Sequence, residues 1–210
     1  MLALPESIRA EAAAMAPEIM TMGLPEEDGC LAPSAVEIIL ERAWSCSAII
    51  LGPGIGRSRS VAEFQEDFLE RTKAPLLIDA DGLFNISPTT SFSGRQVILT
   101  PHEGEAGRLC SVDSKTIRAD RQRWVRRLAL QRGATVVLKG AYSECGDPSG
   151  RVYINPTGNA GMATAGSGDV LAGIIGCFLA QMNDDPLHAA ALGTYVHGLA
   201  GDMISGQSSQ

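Results

Sequence analysis

The sequence has few aromatic residues, an odd number of cysteines and no long hydrophobic run. Its five cysteines form no CxxC pair, so neither a disulfide framework nor a zinc site is indicated, and reduced, mostly buried thiols are expected. No stretch approaches the roughly 20 apolar residues of a membrane span. The first residues lack the basic start and apolar run of a signal peptide. We therefore expect a cytoplasmic protein with no membrane partner.

Basic residues are fewer than acidic ones, with 17 Lys and Arg against 24 Asp and Glu and a net charge of -7. An acidic surface repels a phosphate backbone, so no nucleic-acid partner is expected. One basic strip does occur between Lys115 and Arg132, and within it Ile117, Trp124 and Leu128 recur at helical spacing. This pattern predicts a surface helix with one buried stripe and a solvated basic face.

Short apolar runs alternate with amphipathic segments along the chain. The runs predict strands at 47–51, 75–79, 96–100, 134–138 and 151–154. The amphipathic segments predict helices at 61–72, 103–109, 115–132, 168–181 and 186–204. Strands that are apolar on both faces and separated by helices predict a mostly parallel sheet in an α/β sandwich.

The chemically distinctive residues follow these strands, where such sheets bind ligands. The loops are LGPGIG, DADG, TPHEGE and KGA. Asp79 and Asp81 could position metal-bound water or cap the helix that follows, and capping is favoured for Asp81. Glu105 could hold metal or water, or be a first-turn helix acid.

A glycine-rich loop runs directly into a helix over residues 157–176, and that helix is predicted to have a wide apolar face formed by Val170, Leu171, Ile174, Ile175, Phe178 and Leu179. Gly166, Ser167 and Gly168 lie at the helix start, where free backbone N–H groups and the helix dipole form an anion site. A carboxylate there repels phosphate, which makes Asp169 unusual. It is either a helix acid favoured by the dipole or a base that accepts a proton from an attacking hydroxyl, and the glycine loop favours the base.

The string GNAGMATAGSGDVLAGIIG resembles the signature of the ribokinase-like superfamily, and more narrowly that of the ADP- or ATP-dependent NAD(P)H-hydrate dehydratases. LGPGIG, LLIDADGL, ILTPHEGEAGRL, VVLKGAYS and HGLAGD are similar to that family's blocks, in the same order. The resemblance implies a ribokinase-like three-layer α/β/α sandwich with a mostly parallel central sheet. It also implies a homo-oligomer, by family habit a tetramer. Residues 1–210 would form a single dehydratase domain that lacks its first βα unit and its C-terminal end.

The resemblance also implies a reaction and roles for residues. ADP or ATP would phosphorylate the hydroxyl of hydrated NAD(P)H with the help of Mg²⁺, and phosphate would then leave to restore NAD(P)H. Asp169 would be the catalytic base, and the hydrated dinucleotide would bind at Gly54, Gly56, His102 and Asp169. The adenine nucleotide would bind at Lys139, Gly140, Ala141, Tyr142, Ser143, Asn159, Gly166 and Gly168.

Simpler interpretations stay open for several of these residues. Gly54 and Gly56 also suit a tight strand-to-helix turn, Lys139 an ordinary strand end, and Asn159 a stabilised turn. Two other functions stay open as well. One is a small-molecule kinase for a vitamin-like alcohol such as a thiazole, and the other is a non-catalytic remnant that binds nucleotide.

Overall fold

The computed structural model describes residues 1–182 and 184–206. Its strands, in chain order, are β1 (Leu2–Pro5), β2 (Thr21–Leu24), β3 (Glu26–Glu27), β4 (Cys30–Leu31), β5 (Ile49–Leu51), β6 (Leu76–Ile78), β7 (Val97–Leu99), β8 (Thr135–Leu138), β9 (Glu144–Gly146) and β10 (Val152–Ile154). Its α-helices are α1 (Arg9–Met15), α2 (Ala35–Ala43), α3 (Arg59–Arg71), α4 (Asp81–Phe84), α5 (Glu103–Cys110), α6 (Ser114–Ala119), α7 (Arg121–Arg132), α8 (Ser167–Gln181) and α9 (Pro186–Ser205).

The central sheet has the strand order β10-β9-β8-β7-β6-β5. Strands β5 to β8 run parallel, while β9 pairs antiparallel with both β8 and β10. Leu51, Ile78, Leu99 and Val136 lie side by side across the four parallel strands. Since the side chains of a strand alternate between its faces, this row faces one helix layer and its neighbours face the other.

Two hydrophobic clusters cover the two faces of the sheet. On one face the row just described packs with apolar side chains of α2, α3, α5, α6 and α7. On the other face Leu77, Ile98 and Val137 pack with residues of α8 and α9. Each large side chain buried in this way contributes about 1.5–3 kcal/mol relative to an exposed one. The expected three-layer α/β/α sandwich with a mostly parallel sheet is therefore confirmed.

The predicted helix at 115–132 is wrong in one respect, because two helices occupy that range. α6 and α7 are separated at Asp120, whose carboxylate accepts a hydrogen bond from the Arg123 amide at 3.1 Å. Asp113 caps α6 in the same way through Thr116. Aspartate is a preferred N-cap because its carboxylate satisfies a free backbone N–H, so each aspartate starts a helix of its own.

The basic strip is partly as predicted. Ile117, Trp124 and Leu128 are buried, which confirms the buried stripe. The solvated face is incomplete, because Arg132 is only 3% exposed and donates hydrogen bonds to backbone carbonyls such as that of Leu109. The other guanidinium that turns inward, that of Arg121, belongs to the site described below.

Two strand pairs lie outside the central sheet and were not predicted. β1 pairs parallel with β2, and β3 pairs antiparallel with β4. The prediction that residues 1–210 form one domain lacking its ends stays a prediction, and residues 183 and 207–210 lie outside the described residues. Among the described helices, each is too short or too polar to cross a bilayer.

Candidate active site

The loop after β5 is tied to α4 by the carboxylate of Asp81. This carboxylate accepts hydrogen bonds from the Gly56 amide at 3.2 Å and from Arg57 Nε at 2.6 Å. Gly54 and Gly56 have φ values of +68° and +88°, a conformation that favours glycine. Capping was the favoured role for Asp81 and is wrong, because Asp81 lies inside α4 and its side chain turns toward the glycine loop.

A buried ion pair joins the ends of β6 and β8. Lys139 Nζ lies 2.7 Å from Asp79 Oδ1 and 4.0 Å from Glu105 Oε2. The Asp79 side chain is 2% exposed and that of Lys139 is 18% exposed, so the acid is enclosed while the ammonium reaches the open side. Asp79 therefore neither caps α4 nor stands free, because it fixes the position of Lys139.

His102 is the N-cap of α5. Its Nδ1 accepts hydrogen bonds from the amides of Gly104 and Glu105, at 3.0 and 3.3 Å. Glu105 completes a capping box, since its Oε2 accepts from the His102 amide at 2.8 Å. An imidazole that accepts at Nδ1 carries its proton at Nε2 when it is neutral. The exposed side of the ring is thus a hydrogen-bond donor.

Beside these residues lies a cavity of about 660 Å³. Eight of the residues predicted to bind ligands line it: His102, Lys139, Gly140, Ala141, Tyr142, Ser143, Asn159 and Gly168. The remaining four, Gly54, Gly56, Gly166 and Asp169, are not among its described lining residues. The structure therefore brings together nearly all of the predicted nucleotide-binding residues, and keeps the loop after β5 apart from them.

The start of α8 separates the cavity from Asp169. Ser167, Gly168 and Leu171 line the cavity. Because successive residues of an α-helix are rotated by about 100°, Asp169 points about 150° away from the mean direction of these three. Asp169 is exposed and lies in the first turn of α8. A Cβ on Gly168 would lie 3.8 Å from Lys139 Nζ, so the ammonium meets the helix start from the cavity side.

Gly166 has a φ of +83° and is the N-cap of α8. It makes no side-chain cap, so the N-cap residue supplies no side-chain acceptor to the first amides of the helix. One sequence expectation fails on this helix, since Val170, which we assigned to its apolar face, is 57% exposed.

Asn159 forms part of the cavity wall and is held from α9. Its Nδ2 donates to Asp202 Oδ1 at 3.0 Å, and the Gly158 amide donates to Asp202 Oδ2 at 2.8 Å. These two bonds, the Gly158 amide first, lower the pKa of Asp202. The side-chain amide of Asn159 is therefore occupied in stabilising the loop, the simpler of its two sequence interpretations.

Sequence reasoning missed several cavity residues on the loop after β10 and on α9. They are Asn155, Thr157, Met162, Thr194, His197 and Gly198. Burial lowers the pKa of His197, so its ring is neutral at pH 7. His197 and Gly198 lie in the block HGLAGD, and Thr157 and Met162 lie in the glycine-rich segment 157–176, but none of the four was assigned a role. Asn155 and Thr194 lie outside both segments and carry no distinctive pattern.

The chain matches the family model for NAD(P)H-hydrate dehydratase over residues 2–210. It is 41% identical over 212 residues to the bifunctional NAD(P)H-hydrate repair enzyme of Moorella thermoacetica, with 99% of this chain and 40% of that protein covered. It is 40% identical over 180 residues to the ADP-dependent (S)-NAD(P)H-hydrate dehydratase of Neisseria meningitidis, with 80% of this chain and 60% of that protein covered. The chain thus spans about two fifths to three fifths of the length of these relatives.

Solved structures agree with this match. The ADP/ATP-dependent NAD(P)H-hydrate dehydratase of Bacillus subtilis, co-crystallised with ATP and Mg²⁺, superposes with a TM-score of 0.76 at 28% identity, covering 98% of this chain and 70% of that one. The hydroxyethylthiazole kinase of Pyrococcus horikoshii superposes with a TM-score of 0.65 at 16% identity, covering 100% of this chain and 82% of that one. The second likeness shows a shared fold alone.

Proposed function

Since the chain belongs to the NAD(P)H-hydrate dehydratase family, we propose that it returns hydrated NAD(P)H to NAD(P)H at the expense of an adenine nucleotide. The observation that carries this proposal is the site on either side of the α8 start. A cavity rich in small and polar groups lies on one side, and an exposed carboxylate, Asp169, lies on the other. A two-substrate phosphoryl transfer needs such an arrangement, with donor and acceptor on opposite sides of one phosphate site.

The cavity suits the adenine nucleotide. Its volume of about 660 Å³ lies within the range of small-molecule sites, which is about 300–1,000 Å³. Leu171 and Met162 offer apolar surface, and Ser143 and Thr157 offer hydrogen-bonding groups. The name of the Neisseria relative states a dependence on ADP, and the Bacillus structure was co-crystallised with ATP. We therefore propose ADP or ATP as the phosphate donor.

The transferred phosphoryl group would lie at the start of α8. Backbone N–H groups from Gly166 onward and the positive end of the helix dipole stabilise negative charge there. Lys139 adds a cation on the cavity side, because its Nζ lies beside Gly168. Asp79 holds that ammonium in place at 2.7 Å. The lysine side chain is therefore already ordered, and less conformational entropy is lost when phosphate binds.

Asp169 is the proposed base for the acceptor. It would take the proton of the substrate hydroxyl as the hydroxyl oxygen bonds to the terminal phosphorus and the nucleotide loses its terminal phosphoryl group. The bond between the ring carbon and the ester oxygen then breaks and inorganic phosphate leaves. The neighbouring ring carbon loses a proton, and the electron pair of that C–H bond forms the double bond of NAD(P)H. Phosphorylation is needed because hydroxide is a poor leaving group.

The hydrated dinucleotide is proposed to lie along Gly54, Gly56 and His102. The glycine loop allows close backbone approach, and Asp81 fixes the loop by its bonds to Gly56 and Arg57. The Nε2–H of His102 is proposed as the donor to the substrate, because Nδ1 is used in the α5 cap and Nε2, at 3.6 Å from Glu105 Oε1, lies beyond hydrogen-bond distance of that carboxylate.

Magnesium fits a site in which phosphate and water supply most of the ligands. Among the described residues no group of three His, Cys, Asp or Glu side chains is placed to hold a metal ion, and Mg²⁺ characteristically keeps several waters and binds through substrate phosphates with one or two carboxylates. Asp79 and Glu105, the carboxylates beside Lys139, would orient the ion's water. When bound, the ion would neutralise charge on the phosphates.

The test is a recovery assay on the reduced-nicotinamide absorbance band. Purified chain is mixed with hydrated NADH or NADPH, Mg²⁺ and either ADP or ATP. Recovery that requires nucleotide supports the proposal and identifies the donor. A stable phosphorylated product without recovery would instead identify a kinase, and the absence of both reactions with measurable ADP binding would leave only a nucleotide-binding protein. Sedimentation of the same sample tests the tetramer, which stays a prediction.

A further inference from the structure

Arg121 is a buried cation at an electrostatically unfavourable position. It is the first residue of α7, where the helix dipole repels positive charge. Its side chain is nevertheless only 14% exposed, although the sequence assigned it to a solvated basic face. Other contacts must offset the unfavourable free energy of a guanidinium at that position. Those contacts are with residues next to the cavity wall.

The guanidinium binds the residues that adjoin the cavity wall. Nη1 donates to Glu103 Oε1 at 2.8 Å, and Nη2 donates to the Leu138 carbonyl at 2.8 Å. Glu103 directly follows His102, and Leu138 directly precedes Lys139. A second arginine, Arg118, also binds Glu103, with 2.7 Å between Nη2 and Oε2. One side chain thus joins the two loops that carry His102 and Lys139.

The same guanidinium supports the turn that follows Lys139, residues 139–143, here called the nucleotide segment. A Cβ on Gly140 would lie only 3.0 Å from Arg121 Nη1, so the Gly140 backbone rests directly on the guanidinium. Gly140 has a φ of +150°, so a side chain there would also strain the backbone. At the far end of the segment, Glu144 Oε1 lies 3.6 Å from Arg121 Nε.

The two ends of the segment are held differently. The Leu138 carbonyl accepts a well-formed hydrogen bond, whereas Arg121 Nε and Glu144 Oε2 are buried without a hydrogen-bond partner among the described residues. Burial raises the pKa of Glu144, and the charge of Arg121 opposes that rise. Arg121 therefore contacts Glu144 only through charge and packing. The N-terminal end of the segment, at Leu138, is held more firmly than its C-terminal end, at Glu144.

We propose that Arg121 is a positioning residue for nucleotide binding, which sets the conformation of residues 139–143 from behind without contacting the nucleotide. This inference rests on the proposed function, because it takes the cavity as the nucleotide site. It predicts an unequal effect, in which loss of Arg121 weakens nucleotide binding more than binding of the hydrated dinucleotide, because Arg121 contacts the nucleotide segment directly and reaches His102 only through Glu103.

The test compares Arg121→Met and Arg121→Lys with the control Arg123→Met, which removes an exposed arginine two residues away on α7. ADP binding is measured by calorimetry, and KM for nucleotide, KM for hydrated NADH and kcat by the recovery assay. We expect Arg121→Met to raise the ADP dissociation constant and nucleotide KM roughly tenfold or more, because charge-assisted bonds are lost. Arg121→Lys should recover only part of this, since an ammonium lacks the planar fork. The control should match the wild type.

Glu103→Gln provides a second route, because it removes the carboxylate charge that faces Arg121 and leaves the Arg121–Leu138 bond. It should raise the ADP dissociation constant in the same direction but less, and should decide the matter if Arg121→Met does not fold. Amide exchange should accelerate at residues 139–143 and not in β7. Unchanged ADP affinity in Glu103→Gln and Arg121→Lys, or an equal rise in both KM values, would overturn the proposal. Wild-type protein that binds ADP without dehydrating would refute the proposed function and leave this inference standing.

Discussion

Replacement of Lys139 by methionine should destabilise the protein more than replacement of its partner Asp79. Lys139 Nζ is 2.7 Å from Asp79 Oδ1, and Glu105 lies 4.0 Å from the same ammonium. Without the ammonium, the enclosed Asp79 carboxylate loses the cation that lies 2.7 Å from it. Breaking a buried pair in this way costs about 3–5 kcal/mol. Because Lys139 borders a water-accessible cavity, we expect the lower end, about 3 kcal/mol.

The reciprocal change should cost less. Asp79→Asn leaves Lys139 with Glu105 in reach and with solvent on the cavity side, so about 1.5–2 kcal/mol is expected, the lower part of the range for one hydrogen bond to a charged group. The double variant should regain part of the loss in stability, because both charges of the buried pair are then removed and neither is left unpaired. The coupling energy between the two positions should be about 1–3 kcal/mol.

Thermal and guanidinium unfolding measure these differences. For a chain of this length, 1 kcal/mol shifts Tm by about 2–4 °C, so Lys139→Met should lower Tm by about 6–12 °C. Lys73→Met, which removes an exposed lysine, is the matched control and should change Tm little. If Lys139→Met were as stable as the control, or more stable than Asp79→Asn, the buried pair would not have the energetic role assigned to it.

Three further predictions concern single groups. Asp169→Asn should abolish recovery of NAD(P)H while ADP binding by calorimetry stays intact, and retained turnover would exclude Asp169 as the base. Cys145 should not react with a thiol reagent in the folded protein, because burial raises its pKa to about 12. Exposed Cys177 should react rapidly. Equal reaction rates would contradict the burial of Cys145. The Gly158 amide lowers the pKa of Asp202, so its carboxylate stabilises the fold above its ordinary pKa of about 3.9 and loses that effect as pH falls. Urea unfolding should show the advantage of wild type over Asp202→Asn shrinking from neutral pH to below about pH 4, and a constant difference would be inconsistent with this linkage.

Local pattern was sufficient to predict the layers of the fold. Apolar triplets such as Leu76–Ile78 stand between amphipathic segments, and that alternation indicates a buried parallel sheet because both strand faces must be covered. The glycines before α8 indicate an anion site because free amides at a helix start are a local property. These features depend on residues within a few positions of one another.

The break at Asp120 and the exposure of Val170 were predicted wrongly for two different reasons. A cap is also a local feature, but the apolar spacing of Ile117 and Trp124 continues across Asp120 and hides it. Val170 has the composition of a core residue, yet its exposure depends on what packs against α8 from elsewhere in the chain.

Lys139, Gly168 and Asp169 were predicted as site residues from the sequence, because a glycine turn, a helix start and a charged loop at a strand end are recognisable in neighbouring residues. Only the tertiary structure decided which partners they meet. It paired Lys139 with Asp79, sixty positions away, and turned Asp169 away from the cavity that Gly168 lines. It also placed Arg121, which the sequence assigned to a solvated face, behind the nucleotide segment. Such pairings follow from strand order, register and helix rotation, which bring distant residues together and leave no trace in local spacing.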